Sequence, residues 1–532
     1  MIFGSTLPDM STAVSQLERP ARSGLILLAL IVGAIVANIN LSVANVALPT
    51  IGSELNASQD QLNTIAEAFA LGLASTVLYL GAIGDRYGRK MLFVVGAILT
   101  VPTAMLSAWA PNAEFLAVAR LLSGFAAALL FPTTLSLISS LYRGNARVKA
   151  IALWSGLGAG FAALGPLMGG WLLEYFWWGS VFLISVPLAL FALIIGIVVI
   201  PNHISSGTEP VDHLGGVLSV LGVGGLVVII QTFHDGVDST WLVIATIAVL
   251  AIIGFFFRQK RAKRPLVDLP LAKARTFWVA FVGGAITFGA LIGAMFIGQQ
   301  FVQDVLGYNT FSAAAVAVPS AIFAAIGGQV AGKLVIKRGS RDTLSIGLGL
   351  VVLAFVVMLF GWKDDTSLFW ILLAYALVGA GVGMAATPAS RALMSSVPES
   401  HAGMGSAFLD LTRDFGGAVL QALLGGVLAG AYVSRMQSDI AGLPPAQSSQ
   451  VTTEIAQSLT ASFGDAAHVA AQYPSNIGDE IVKAAAQAFT DGKSAAMSVA
   501  LVLSVLGLLL VAFLFPKRVE EEAYYTKIAA TK

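Results

Sequence analysis

Predominantly apolar stretches of about 17 to 25 residues, the length that crosses a bilayer as one helix, recur along almost the whole chain. Hydrocarbon offers no water to backbone N–H and C=O groups, so each stretch closes its hydrogen bonds within itself as an α-helix. One short signal peptide does not account for so many repeats. Composition agrees: 57% of the 532 residues are hydrophobic before the 55 glycines are counted. Only 11% are charged, against about 25% in soluble domains. The fold class is therefore an all-α integral membrane protein.

Fourteen transmembrane spans are predicted near residues 24–48, 62–83, 91–109, 114–139, 148–173, 178–200, 214–233, 240–257, 276–299, 311–335, 342–361, 367–388, 403–432 and 494–515. If odd-numbered spans run outward from the cytoplasm, the inside segments hold 24 of the 30 Lys and Arg, and the outside segments hold Lys363, Arg435, Lys483 and Lys493. This bias predicts that both termini are cytoplasmic. Its strongest block, RQKRAKRPLVDLPLAKAR at 258–275, reads as topogenic charge beside membrane lipids, not as a nucleic-acid patch. The net charge of +1 gives no sign of a nucleic-acid partner either. With no cysteine and five scattered histidines, no thiolate chemistry, metal site or cofactor is expected. No nucleophile–base pair or phosphate loop marks an enzyme.

Between the second and third spans stands GAIGDRYGRK (81–90), and a degraded copy, GKLVIKRGSR (332–341), follows the tenth. Gly81 aligns with Gly332 and Gly88 with Gly339, while Ile336 stands opposite Asp85. The spacing predicts two homologous halves with two inserted spans. It divides the chain into a cytoplasmic segment 1–23, a six-helix half 24–200, an insertion with linker 201–275, a second half 276–515 and a tail 516–532. The second half includes an outer loop at 433–493, where VTTEIAQSLTASF and IVKAAAQAF read as short surface helices on a connector. Asp85 with Arg86, Arg89 and Lys90 suits a charge lock between the halves, and Gly88 a tight turn. In the fifth span Gly156 and Gly160, then Gly165 and Gly169, recur at four-residue spacing beside Pro166 and Gly170. That spacing lets a neighbouring backbone approach closely.

GAIGDRYGRK resembles the loop signature of the major facilitator superfamily, whose members are built from two related six-helix halves. RLLSGFAAA (120–128), headed by Arg120, is similar to the family's fourth-span motif, with Ser123 where glutamine is usual. GPLMGG (165–170) resembles its antiporter motif, and LSVANVALP (41–49) and GGWLLEYFWWGSVFLISVPLAL (169–190) resemble the fourteen-span drug:proton antiporters. The resemblance implies a 6 + 2 + 6 arrangement in a bacterial inner membrane. It further implies a monomer that exchanges protons for an amphiphilic or cationic small molecule by alternating access.

Ionisable groups inside a membrane cost roughly 2.5 to 3.5 kcal/mol each on insertion scales, so they are functional candidates. Glu67 lies in the second span, Arg120 in the fourth, and Asp410, Arg413 and Asp414 share one face of the thirteenth. Two carboxylates against one guanidinium leave a charge of minus one that a proton or an organic cation neutralises. A static Asp410–Arg413 ion pair is the alternative. The resemblance implies acid roles at Glu67, Asp410 and Asp414. It also exposes a departure, because the family's first-span D-x-T reads Asn40 and Ser42 here, and an amide does not take up a proton. Asn45, Phe69, Tyr79, Trp154 and Phe161 are cavity candidates, four of them with rings that stack on flat cations. Two rivals stay open: export of a lipid, metabolite or antibiotic with altered coupling, and a non-transporting sensor or scaffold.

Overall fold

The computed structural model describes residues 20, 22–55, 57, 59–202, 211–231, 238–263, 265–363, 366–398, 401–443, 451–461 and 463–530. The expected cytoplasmic segment 1–23 falls almost wholly outside them. Within the described residues all regular structure is helical, and thirteen helices are long and apolar enough to cross a membrane.

In chain order the long helices are α1 (Ser23–Leu55), α2 (Gln59–Tyr87), α3 (Arg89–Ala108), α4 (Ala113–Leu141) and α5 (Gly144–Tyr175). Then come α6 (Ser180–Val199), α7 (His213–Gln231), α8 (Ser239–Arg261), α9 (Arg275–Gln300) and α10 (Val318–Arg338). The chain ends with α11 (Ser340–Gly361), α12 (Leu368–Ser395), α13 (Ala402–Ala441), α14 (Ser475–Leu514) and α15 (Arg518–Ala530). Local signals set several boundaries. Asn112 and Asp238 cap α4 and α8 by accepting from the N–H groups of Phe115 and Trp241. Gly88 (φ 111°) separates α2 from α3, and Gly339 (φ 90°) separates α10 from α11. Both are backbone conformations that glycine alone adopts freely, so the two aligned glycines make the same kind of turn.

Helices α1 to α6 pack on one another, as do α9 to α14. α7 lies against α2 and also touches α13, and α8 packs on α7. The two groups meet mainly along α5 with α10 and α2 with α13. Side chains such as Phe513, Phe360, Val198 and Ile194 remain open on the outside, the surface that lipid covers in a membrane.

Because lipid tails are as apolar as leucine, the helices are held by close packing instead of hydrophobic exclusion. Added Cβ atoms at Gly72 and Gly124 would meet the carbonyls of Leu121 and Phe69 at 2.3 and 2.1 Å, which brings α2 and α4 into backbone contact. Gly327 and Gly383 do the same for α10 and α12, at 2.6 Å from Ala380 O and 2.1 Å from Ala324 O. The glycines of α5 divide between two neighbours. Gly156 and Gly160 approach the α10 carbonyls of Ala325 and Ala321, whereas Gly169 abuts Val43 of α1. α5 runs through Pro166 without interruption.

One region differs from the sequence-based expectation. α13 and α14 are each 40 residues long, about 60 Å, so both project well past a bilayer core. IVKAAAQAF is part of α14, not a separate short helix, whereas the preceding segment does form short helices at Thr453–Ala461 and Phe463–Ala470. Polar contacts carry the extension, with Arg435 bonding Asp439 one turn on (3.1 Å) and Asp491 of α14 (3.2 Å). Lys493 is not an outer-loop charge: it is fully buried, donates to the Trp362 carbonyl and lies 4.9 Å from the Phe301 ring centre. Leu459, Ala466 and Ala485 join the same apolar cluster as Phe301 and Trp362.

Gly124→Ala is expected to lower stability by about 1–3 kcal/mol, as overpacking does. Gly349→Ala, where an added Cβ meets nothing within 4 Å, should be neutral or better. Thermal melts of the detergent-solubilised variants measure both.

Candidate functional site

The charges of the thirteenth span meet the first helix group at the seam. Arg413 of α13 donates from Nε to Asp414 Oδ1 (2.9 Å) and from Nη1 to Asn38 Oδ1 of α1 (2.9 Å). Its guanidinium carbon lies 4.3 Å from the centre of the Phe131 ring on α4, close enough for a cation–π contact. Phe131 in turn packs at a tilt against Trp154 of α5 (5.3 Å between ring centres), whose Nε1 donates to Thr134 Oγ1 (2.9 Å). One guanidinium thus ties α13 to α1 and α4, and through Phe131 to α5.

Asp410 is 2% exposed. The direct ion pair forms with Asp414, not with Asp410, because the neighbouring carboxylate reaches Nε while Nη1 turns to Asn38. Oδ2 of Asp410 and Oδ2 of Asp414 accept no hydrogen bond among the described residues. Both carboxylates act on Arg413. Glu67 is half-buried on α2.

Arg120 sits apart from this cluster. It is fully buried, donates from Nη1 to the Asn40 backbone carbonyl (2.9 Å) and lies over the rings of Phe69 (4.7 Å) and Phe182 (5.5 Å). Its Nε and Nη2 groups find no acceptor among the described residues. The Asn40 amide is turned back on its own helix, donating to Val36 O (3.1 Å). Phe69 is therefore occupied by Arg120. Tyr79 faces α7, where its hydroxyl bonds His213 Nδ1 (2.7 Å). Phe161 is half-buried in the main core, and the side chain of Asn45 lies outside the described residues.

The GAIGDRYGRK turn closes one end of the seam. Asp85 accepts from Arg89 Nε and Nη2 (3.1 and 2.9 Å) and from the backbone N–H of Gly403 at the start of α13 (2.8 Å). Gly81 makes room for this, since an added Cβ would stand 2.9 Å from Gly403 O. Ser136 shares a hydrogen bond with Ser406 (2.8 Å), and Arg147 of α5 donates to Met394 O of α12 (3.1 Å). Arg86 lies over the Tyr87 ring. Sequence reasoning missed Asn38 and Phe131. Asn38 carries a usable signal, a second amide in the apolar run VANIN (36–40), whereas one phenylalanine among thirty has none.

Two carboxylates and one guanidinium thus lie together in an apolar seam. A family model of the Major Facilitator Superfamily matches residues 30–420. The chain is 32% identical to the multidrug efflux pump LfrA of Mycolicibacterium smegmatis over 513 residues, 95% of this chain and 100% of the relative. It is 30% identical to the methyl viologen resistance protein SmvA of Salmonella typhimurium over 464 residues, 86% and 92% of the two chains. It is 27% identical to the multidrug resistance protein Stp of Mycobacterium tuberculosis over 393 residues, 73% and 72% of the two chains. A match that runs through both helix groups and both copies of the loop motif leaves one conclusion: the chain belongs to the Major Facilitator Superfamily.

Proposed function

We propose that this protein is a secondary active multidrug exporter of the bacterial inner membrane, in which protons enter as lipophilic, mainly cationic compounds leave. The observation that carries the reading is the α13 cluster, two carboxylates and one guanidinium held against Asn38 of the other helix group. Names of the relatives support the cargo class: a multidrug efflux pump and a methyl viologen resistance protein, methyl viologen being a flat dication. With α5 counted, the reading takes fourteen spans in a 6 + 2 + 6 layout, cytoplasmic termini, a monomer among membrane lipids, and the half boundaries at 24–200 and 276–515.

Coupling follows from competition. A proton on Asp410 or Asp414 removes the charge that attracts a cationic cargo, and a bound cargo disfavours the proton, so each expels the other through linkage. Asp414 also holds Arg413, and Arg413 holds Asn38. Discharging Asp414 thus weakens a tie across the seam as well as the cation site. At the Asp85 end, the bonds to Gly403, Ser406 and Met394 keep the halves together, and transport requires that they break and re-form. Glu67 serves as a second acid on α2, and the glycines of the GPLMGG stretch seal α5 against its neighbours.

Asn40 favours a second reading in which coupling is altered and the cargo is a neutral lipid, metabolite or antibiotic. Its amide is satisfied within α1 and carries no proton.

Asp414→Asn is expected to reduce proton-driven dye efflux in everted vesicles to background while the protein still purifies as a folded monomer; unchanged efflux removes Asp414 from the mechanism. Asn40→Asp should steepen the pH dependence of fluorescent-cation transport by adding a titrating group beside Arg120. A thermal-shift panel of monovalent cations, divalent cations and neutral amphiphiles separates the readings. The first predicts stabilisation by cations, the second by neutral amphiphiles.

A further inference from the structure

The second copy of the loop motif has lost its carboxylate, since Ile336 stands where the first has Asp85. Yet a buried carboxylate occupies that corner, delivered from a different part of the chain. Glu521 of α15 is fully buried, and its Oε2 accepts from the backbone N–H of Ser340 (3.0 Å), the first residue of α11. A Cβ added at Gly339 would stand 3.1 Å from the same oxygen, so the glycine turn admits it. The other oxygen, Oε1, lies 3.5 Å from Arg391 Nη1 near the end of α12, and Arg391 Nη2 pairs with Glu522 (2.6 Å). Arg391 also covers the Tyr525 ring (5.4 Å). Burial, and next the Glu521 charge, push the Tyr525 phenol well above its usual range, so it meets the guanidinium as a neutral ring. Arg518 donates to Lys337 O (2.7 Å) and fastens the start of α15 to the end of α10.

The carbonyl of Met394, less than one turn beyond Arg391, is the acceptor for Arg147 of the first half. A continuous set of contacts therefore runs from α15 through the end of α12 to α5. We propose that α15 is a working part of the gate at the Asp85 end: Glu521 replaces the missing motif carboxylate and, through Arg391, positions the end of α12 to receive Arg147. Glu521 and Arg391 are positioning residues, since neither reaches the α13 cluster. Each half then closes with one carboxylate at its glycine turn, Asp85 on Gly403 N–H and Glu521 on Ser340 N–H. The second carboxylate sits on α15, which follows the last long helix of the second group.

The inference rests on the alternating opening assumed above, but its test needs no cargo and so fails separately from the exporter reading. The chain has no cysteine, so a single Ser406→Cys reporter, at a seam position 1% exposed opposite Ser136, measures opening. The readout is its rate of alkylation by a maleimide in purified, detergent-solubilised protein. Glu521→Gln and Arg147→Ala should each raise that rate at least about fivefold, the low end of conformational coupling. The double variant should exceed neither single effect, because both free the same end of α12. Glu521→Asp should stay near the parent rate. If Glu521→Gln fails to fold, Glu522→Gln, which removes the more exposed partner of the same guanidinium, should give a smaller rise. An unchanged rate in the foldable variant and in a truncation after Lys517, or multiplicative effects of the two substitutions, would overturn the proposal.

Discussion

A charged group inside hydrocarbon has no water to solvate it, and the way this chain supplies substitutes organises the whole structure. Four cations are handled by the same two devices, an oxygen acceptor and an aromatic face. Arg120 has the Asn40 carbonyl with Phe69 and Phe182, Lys493 the Trp362 carbonyl with Phe301, and Arg413 two side-chain acceptors with Phe131. Arg391 has two carboxylates and Tyr525. Because these partners come from different helices, each cation also fastens its neighbourhood. Asp410 departs from the pattern, buried with an oxygen that no donor reaches among the described residues. A carboxyl group so placed is tolerated best when something else discharges it.

The two halves use matched backbone solutions and unmatched side chains. Glycines bring α2 onto α4 and α10 onto α12 at distances that admit no Cβ, and the turns at Gly88 and Gly339 share a positive φ. Backbone geometry is what a repeated fold must preserve. Charges are free to diverge, and they have: the carboxylates of the α13 cluster face the amide of Asn38 across one seam.

How far α13 and α14 run beyond a bilayer was not legible from hydropathy. Their outer turns are polar, and hydropathy reports the part of a helix that lipid covers. The ion pairs of Arg435 with Asp439 and Asp491, and the burial of Lys493 beneath Trp362, join residues distant in sequence. The burial of Glu521 was equally hidden: residues 516–532 were expected only as a tail, and the contact with Ser340 joins positions far apart in sequence.

Apolar run length, glycine spacing and the position of each rare charge are local properties, so the sequence alone determined that this is a helical membrane protein, where two glycine turns fall, and that Asp410, Arg413 and Asp414 share a helix face. Which carboxylate takes the guanidinium, what lies opposite it and which helices meet across the seam depend on partners tens to hundreds of residues away. Asn38 and Arg413 are separated by 375 positions. Periodicity reports only which way a side chain faces; the contact it makes is set when the helices pack.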